Sequence, residues 1–212
     1  MKKKLLATLL VATMAVSLVA CGGSETVESE KEVVEETESA TEEETEEVDE
    51  STVGEVVGEN GLRKVPVITD KELNRTGETG PFKYSIKAIQ ISKLTATNDE
   101  MAEMLEIEKD KEVTLVVMDV SVENTTDATN YIYFDQATLT TNTKEQVETN
   151  WVLSDYIDGE YLGAVIHEGS IFYILKNTNA DDLTNITLHI DAPFDESFEN
   201  IGEEVVIDLV FE

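Results

Sequence analysis

The sequence predicts an all-β fold, an antiparallel sandwich of about seven strands with one short helix, and three observations carry that prediction. Residues 113–124 read Val-Thr-Leu-Val-Val-Met-Asp-Val-Ser-Val-Glu-Asn, a β-branched run long enough for a central strand. Short β-branched and aromatic segments then recur to the C-terminus, separated by turn signals every 8–12 residues or so, as in a sandwich. A single stretch, 98–105, has helical spacing.

The central run sets the frame. Val116, Met118, Val120 and Val122 alternate with Val117, Asp119, Ser121 and Glu123, so its second half has one apolar and one polar face. Its first half is apolar on both faces, which places it beneath other elements. Ahead of it, Val65-Pro66-Val67-Ile68 suits an edge strand, where proline is tolerated. After a turn at 77–81, Phe82, Tyr84, Ile86 and Ala88 hold one parity and Ile89 and Ile91 the other. That switch predicts a β-bulge between Ala88 and Ile89. Asn98-Asp99-Glu100 before Met101, Met104 and Leu105 reads as a capped helix of under three turns, covering one end of the core.

Beyond the central strand, Asn124 to Asp127 is a turn and Tyr131 to Phe134 opens another strand. Residues 137–141 and 145–149 flank a hairpin tip at Asn142-Thr143-Lys144, and Trp151-Val152-Leu153 is expected to continue the second arm. Residues 155–160 form an acidic loop. Four further strands are expected at 161–166, 170–175, 183–190 and 205–211, with a turn at Glu168-Gly169. In the last, Val206, Asp208 and Val210 alternate with Val205, Ile207, Leu209 and Phe211. His189, out of phase with Ile186, Leu188 and Ile190, faces solvent.

The N-terminal third is organised differently. Lys2, Lys3 and Lys4 precede an uncharged run to Ala20, the pattern of an export signal over residues 1–20. A spanning helix needs about 20 apolar residues, so this run is too short to cross comfortably. Leu18-Val19-Ala20-Cys21-Gly22 resembles the lipobox of bacterial lipoproteins, which implies cleavage before Cys21, lipidation of its sulfur and anchoring at the extracytoplasmic face of the cell membrane. Cys21 is the chain's one cysteine, so no internal disulfide supports the fold. Residues 22–60 carry sixteen acids against Lys31 alone. That composition predicts a disordered acidic linker, extended by its own charge, making residues 21–60 a stalk and 61–212 the folded domain.

Charge excludes some functions. The chain has 15 Lys+Arg and 46 Asp+Glu, net −31, and residues 61–212 keep 30 acids and 11 bases. Nucleic acid is therefore excluded as a partner. His167 and His189 have no Cys or His at ligand spacing, which argues against zinc. No glycine-flanked nucleophile, phosphate-cradling loop or His-Glu-x-x-His helix occurs, so the expected class is non-enzymatic.

Two candidate sites remain. Asp155, Asp158 and Glu160 place three carboxylates in six residues, with Gly159 to bend the backbone, a candidate calcium loop of the weak extracellular type. Tyr156 and Tyr161, flanking that loop, are the candidate ligand-binding rings among aromatics that otherwise suit cross-strand packing.

Residues 82–94, 107–112 leading into 113–124, 137–147 and 183–190 together resemble the telokin-like, immunoglobulin-type domains of Gram-positive lipoproteins. The resemblance covers most of residues 80–212. It implies an immunoglobulin-like sandwich at the cell surface, although the paired cysteines of antibody domains are absent and Trp151 stands alone. The expected function is a lipid-anchored, non-enzymatic module that binds an envelope protein, peptide or polymer. A calcium-stabilised module is the alternative. A hydrolase of envelope polymers would need a carboxylate pair about 5–10 Å apart in a cleft.

Overall fold

In a computed structural model, residues 56–57 and 61–211 are described. The expected signal at 1–20, Cys21 and nearly all of the acidic stretch to residue 60 lie outside the described residues. Strand β1 (Val56–Val57) is the exception. It pairs with β2 (Leu62–Asp70), so the sheet takes up a β-branched pair from within the stretch expected to be stalk.

The larger sheet is built on two long strands, β4 (Phe82–Ala96) and β5 (Glu112–Asn124). β4 pairs with β3 (Arg75–Thr79) along its first half and with β2 along its second. On its other side it pairs with β5 throughout, and β5 pairs with β10 (Ile166–Leu175), giving the order β1-β2-β4-β5-β10. A second sheet runs β13 (Val205–Val210), β11 (Asn185–Ile190), β7 (Thr138–Thr141), β8 (Gln146–Val147). A small third sheet joins β12 (Phe194–Asp195), β6 (Thr129–Tyr131) and β9 (Glu160–Leu162). All pairings are antiparallel, and seven strands are five residues or longer: β2, β3, β4, β5, β10, β11 and β13.

Alternation decides what each strand buries. Val116, Met118, Val120 and Val122 are buried with Ile186, Leu188, Ile190, Val205, Ile207 and Leu209 of the facing sheet in one core. On the opposite face of β5, Val113 and Leu115 join Leu94, Leu105 and Ile174 in a second, smaller cluster. Helix α1 (Asp99–Met104) lies at this second cluster. Its N-cap is Asn98, whose Oδ1 accepts from Met101 N at 2.8 Å; Ala102 is its buried residue and the C-cap Leu105 is buried beside it. Asp119 meanwhile is exposed, as a half-solvated strand requires.

The bulge sits one residue earlier than the parity switch predicts. Register shifts between Ile86 and Ala88, so Lys87 is the extra residue, and its Nζ pairs with Glu168 Oε1 at 2.6 Å. A charged side chain is the cheapest one to turn outward, and its extrusion lets Ile86 and Ile89 both enter the core. A second shift falls between Pro66 and Ile68 of β2, with Pro66 opposite Ser92 and Val67 as the extra residue, next to a proline that cannot donate to the ladder.

Three further expectations are corrected. β10 runs unbroken through Glu168-Gly169; a Cβ at Gly169 would stand 2.9 Å from Ile157 Cγ1 and 3.0 Å from Asp155 Cβ, so this glycine admits the crossing loop. The strand expected at Tyr131 to Phe134 ends at Tyr131 and gives way to a 3₁₀ turn at Phe134–Gln136. Trp151 to Leu153 do not extend β8; Asn150 Oδ1 accepts from Val152 N at 3.1 Å and Leu153 N at 3.0 Å, closing an Asx-type turn.

Candidate functional site

The acidic loop does not assemble the calcium ligands that its composition suggests. Asp155 acts as a strand mimic beside β10: its N donates to Ser170 O at 2.9 Å and its Oδ2 accepts from Ser170 N at 2.8 Å. Asp158 Oδ1 accepts from Glu160 N at 3.0 Å. Glu160 Oε1 accepts from the Tyr131 hydroxyl at 2.7 Å, a bond that pushes the phenol up to about 12. Among the described residues no group of three or more His, Cys, Asp or Glu side chains is placed to hold a metal ion. Each carboxylate is committed to a local bond in place of a shared centre.

Of the two candidate rings, the structure separates one from the other. Tyr156 is 79% exposed, its phenol raised chiefly by the nearby Asp158 charge. Tyr161 is not a surface ring. It is the inward residue of β9, between exposed Glu160 and Leu162, and packs edge-on to Phe82 at 5.0 Å and face to face with His167 at 4.3 Å. It belongs to the core because a three-residue strand, and not a loop, carries it. Its hydroxyl and Asp135 Oδ1 are both buried without a hydrogen-bond partner.

A concavity lies elsewhere, at the seam between the two larger sheets. From the tip of the β7–β8 hairpin, the chain from Glu145 to Asp155 runs antiparallel to the free edge of β10 and closes on it in steps. Asn150 N donates to Phe172 O at 2.7 Å and Phe172 N to Ser154 Oγ at 2.9 Å. At the other end Glu145 acts through its side chain, with Oε1 accepting from Lys176 N at 2.8 Å and Oε2 from Thr178 Oγ1 at 2.7 Å.

Between these ties lies Ile174. Asn124 N of β5 reaches Val165 O at 3.0 Å, so β5 bonds toward β10 through its even-numbered residues. Ile174, opposite Leu115, therefore turns its amide and carbonyl outward, where neither has a protein partner among the described residues. Above it opens a groove of about 620 Å³, with Met104, Trp151, Val152, Glu106, Glu148 and Lys176 in its walls. Met104 is 40%, Trp151 62% and Val152 57% exposed, so three large apolar side chains flank an unpaired strand edge.

Sequence reasoning missed this groove because residues 104, 151 and 174 are far apart along the chain. The local signal that was there is Asn150, a turn-forming residue immediately before Trp151, which predicts that the tryptophan leaves the strand.

Fold and groove together define an antiparallel β-sandwich with a groove at one sheet edge. Its architecture is similar to that in the crystal structure of a functionally unknown protein from Listeria monocytogenes EGD-e, with TM-score 0.54 and 11% identity over 70% of this chain and 88% of the other. A conserved hypothetical protein from Bacillus anthracis aligns at TM-score 0.40 and 10% identity, over 68% of this chain and 99% of the other. No family model matches the sequence. The chain belongs to the family of the SPbeta prophage-derived uncharacterized lipoprotein YonS of Bacillus subtilis (strain 168), with which it is 30% identical over 156 residues, 73% of this chain and 68% of that protein.

Proposed function

We propose that the protein is a lipoprotein held by lipid on Cys21 at the extracytoplasmic face of the cell membrane, with a non-enzymatic sandwich of the telokin-like, immunoglobulin type that binds an extended polypeptide. The observation that carries the ligand class is Ile174. An unpaired strand edge supplies one backbone donor and one acceptor, the groups by which an extended peptide is recognised in strand addition. The exposed Met104, Trp151 and Val152 supply the apolar contacts beside it, and Glu106 and Glu148 favour a peptide with basic residues. The family's lipoprotein member and the Leu18 to Gly22 sequence support the anchor.

Trp151 is the chain's single tryptophan, so its emission reports on the groove directly. Titration with peptides of alternating valine and lysine is expected to give a saturable blue shift. Met104→Asp with Val152→Asp, both at exposed positions, is expected to abolish that shift without lowering the melting temperature. A shift that survives the double substitution removes the groove from the binding reaction. For the anchor, Cys21→Ser is expected to yield an unprocessed or released protein on fractionation; a processed, detergent-extracted membrane protein would exclude the lipid reading.

A further inference from the structure

A second surface, sharing no residue with the groove, is built on Phe198. This phenylalanine is 82% exposed and holds φ 61°, a left-handed conformation that is a genuine outlier for a bulky side chain. The turn that imposes it is closely tied. Phe198 N donates to Asp195 O at 2.9 Å, Asp195 N to Glu199 O at 3.1 Å, and Ile201 N to Pro193 O at 2.9 Å. Asp195 Oδ1 accepts from both Ser197 N and Glu199 N, at 2.8 and 3.1 Å. Burial cannot be what this strained position serves, since most of the ring is in water. Backbone strain that persists at an exposed ring is grounds for a functional hypothesis.

What the turn achieves is a stack. The Phe198 ring lies over Phe194 at 5.8 Å and 22°, and Phe194 lies over Tyr131 at 5.1 Å and 9°. Tyr133 flanks Phe194 at 6.2 Å. The terminal ring of this near-parallel column offers its outer π face to solvent.

The column's surroundings are acidic throughout. Residues 177–212 contain ten Asp and Glu and no Lys or Arg. Glu196 and Glu199 flank Phe198 in the chain, and the Glu196 charge acts on the Tyr131 hydroxyl at the column's base. An exposed π face among carboxylates attracts a cation by ring quadrupole and Coulomb terms together. A guanidinium fits this setting better than an ammonium. It is planar, so it continues a parallel stack, and its fork of donors meets a carboxylate two bonds at a time.

We propose that the Phe198 column is a docking site for an arginine side chain on a basic partner protein. The test is titration calorimetry of the full chain in mild detergent with N-acetylated hexa-arginine and hexa-lysine. Hexa-arginine is expected to bind at least five-fold more tightly. Phe198→Gly, which removes the ring and fits φ 61° without strain, is expected to erase that preference while keeping or raising the melting temperature. Phe198→Leu retains apolar bulk without a π face and is expected to erase it as well. Equal binding of the two peptides overturns the proposal in favour of general attraction to an acidic surface, as does a preference that survives in the leucine variant. Binding of phosphatidylcholine vesicles by a lipid-free Cys21→Ser chain that is lost in Phe198→Gly, with no arginine preference, would reassign the ring to a membrane surface.

Discussion

Asp135 is the residue whose environment is hardest to reconcile with stability alone. Its side chain is 3% exposed, Oδ1 has no partner, and burial raises its carboxyl above the ordinary range, with backbone amides at Asp135 and Ile157 opposing the shift and the Asp158 charge adding to it. Tyr161, with an equally orphaned hydroxyl, feels the Asp135 charge and is itself raised, chiefly by burial. Below the unfolded carboxyl pKa of about 3.9 both states are protonated and Asp135 costs nothing in charge. As pH rises through the higher folded value, the native state must ionise a desolvated oxygen, so this part of the stability is lost. Asp135→Asn is therefore expected to leave the melting temperature unchanged near pH 3.5 and to raise it at pH 7. Ionising a buried carboxyl with an unpaired oxygen costs on the order of 1 kcal/mol, which in a domain of this size is about 2–4 °C. Calorimetric melts at the two pH values check this, and a difference independent of pH would mean the ionised form is better satisfied than its hydrogen bonds indicate.

At the scale of the elements, β5 and β11 respond to an introduced aspartate with costs of different size. Val120, 2% exposed on the core face of β5, cannot accept a carboxylate; Val120→Asp is expected to cost several kcal/mol and to unfold the domain. Thr187 lies on the outer face of β11, where phase alone makes Thr187→Asp harmless. Its cross-strand partner changes that expectation, because Thr187 sits opposite Asp208 and its hydroxyl donates to Asp208 Oδ1 at 2.6 Å. Two carboxylates directly opposite repel, so Thr187→Asp is expected to cost about 0.5–1 kcal/mol and Thr187→Lys to be neutral or slightly stabilising. Chemical denaturation of the three variants ranks them. The register was legible in both strands because alternating Val, Ile and Leu fix which face is buried. The pairing was not, because which residue stands opposite depends on strands distant in sequence. The same limit explains the misplaced bulge, since a parity switch between Ile86 and Ile89 is equally served by extruding Lys87 or its neighbour. It also explains Tyr161, expected at the start of a strand beside the acidic loop, whose inward direction is decided by the pairing of β9 with β6. Glu168-Gly169 suits a turn by composition, yet a glycine within a strand also marks a close approach, here by the side chains of Ile157 and Asp155.

For the whole molecule, charge is the term that composition states most plainly and structure does least to cancel. Residues 61–212 hold 30 acids and 11 bases. The ion pairs Lys87–Glu168, Lys93–Asp181, Lys109–Asp99 and Lys111–Glu108 lie at the surface, where each contributes little. Self-repulsion should therefore outweigh pairing, and screening it should stabilise the fold. Raising sodium chloride from about 0.01 to 0.15 M shortens the screening length from about 30 to 8 Å, and the melting temperature is expected to rise. A fall would mean that the few lysine pairs outweigh the acidic excess. Divalent ions sharpen the test, because screening follows ionic strength while a coordinating site selects by ion size and ligand number. Asp155, Asp158 and Glu160 are each bonded to a different backbone or side-chain donor, and among the described residues they form no shared group placed to hold an ion. Calcium and magnesium at matched ionic strength are expected to raise the melting temperature equally. A larger rise with calcium that Asp158→Asn removes would show that the loop rearranges to gather its carboxylates.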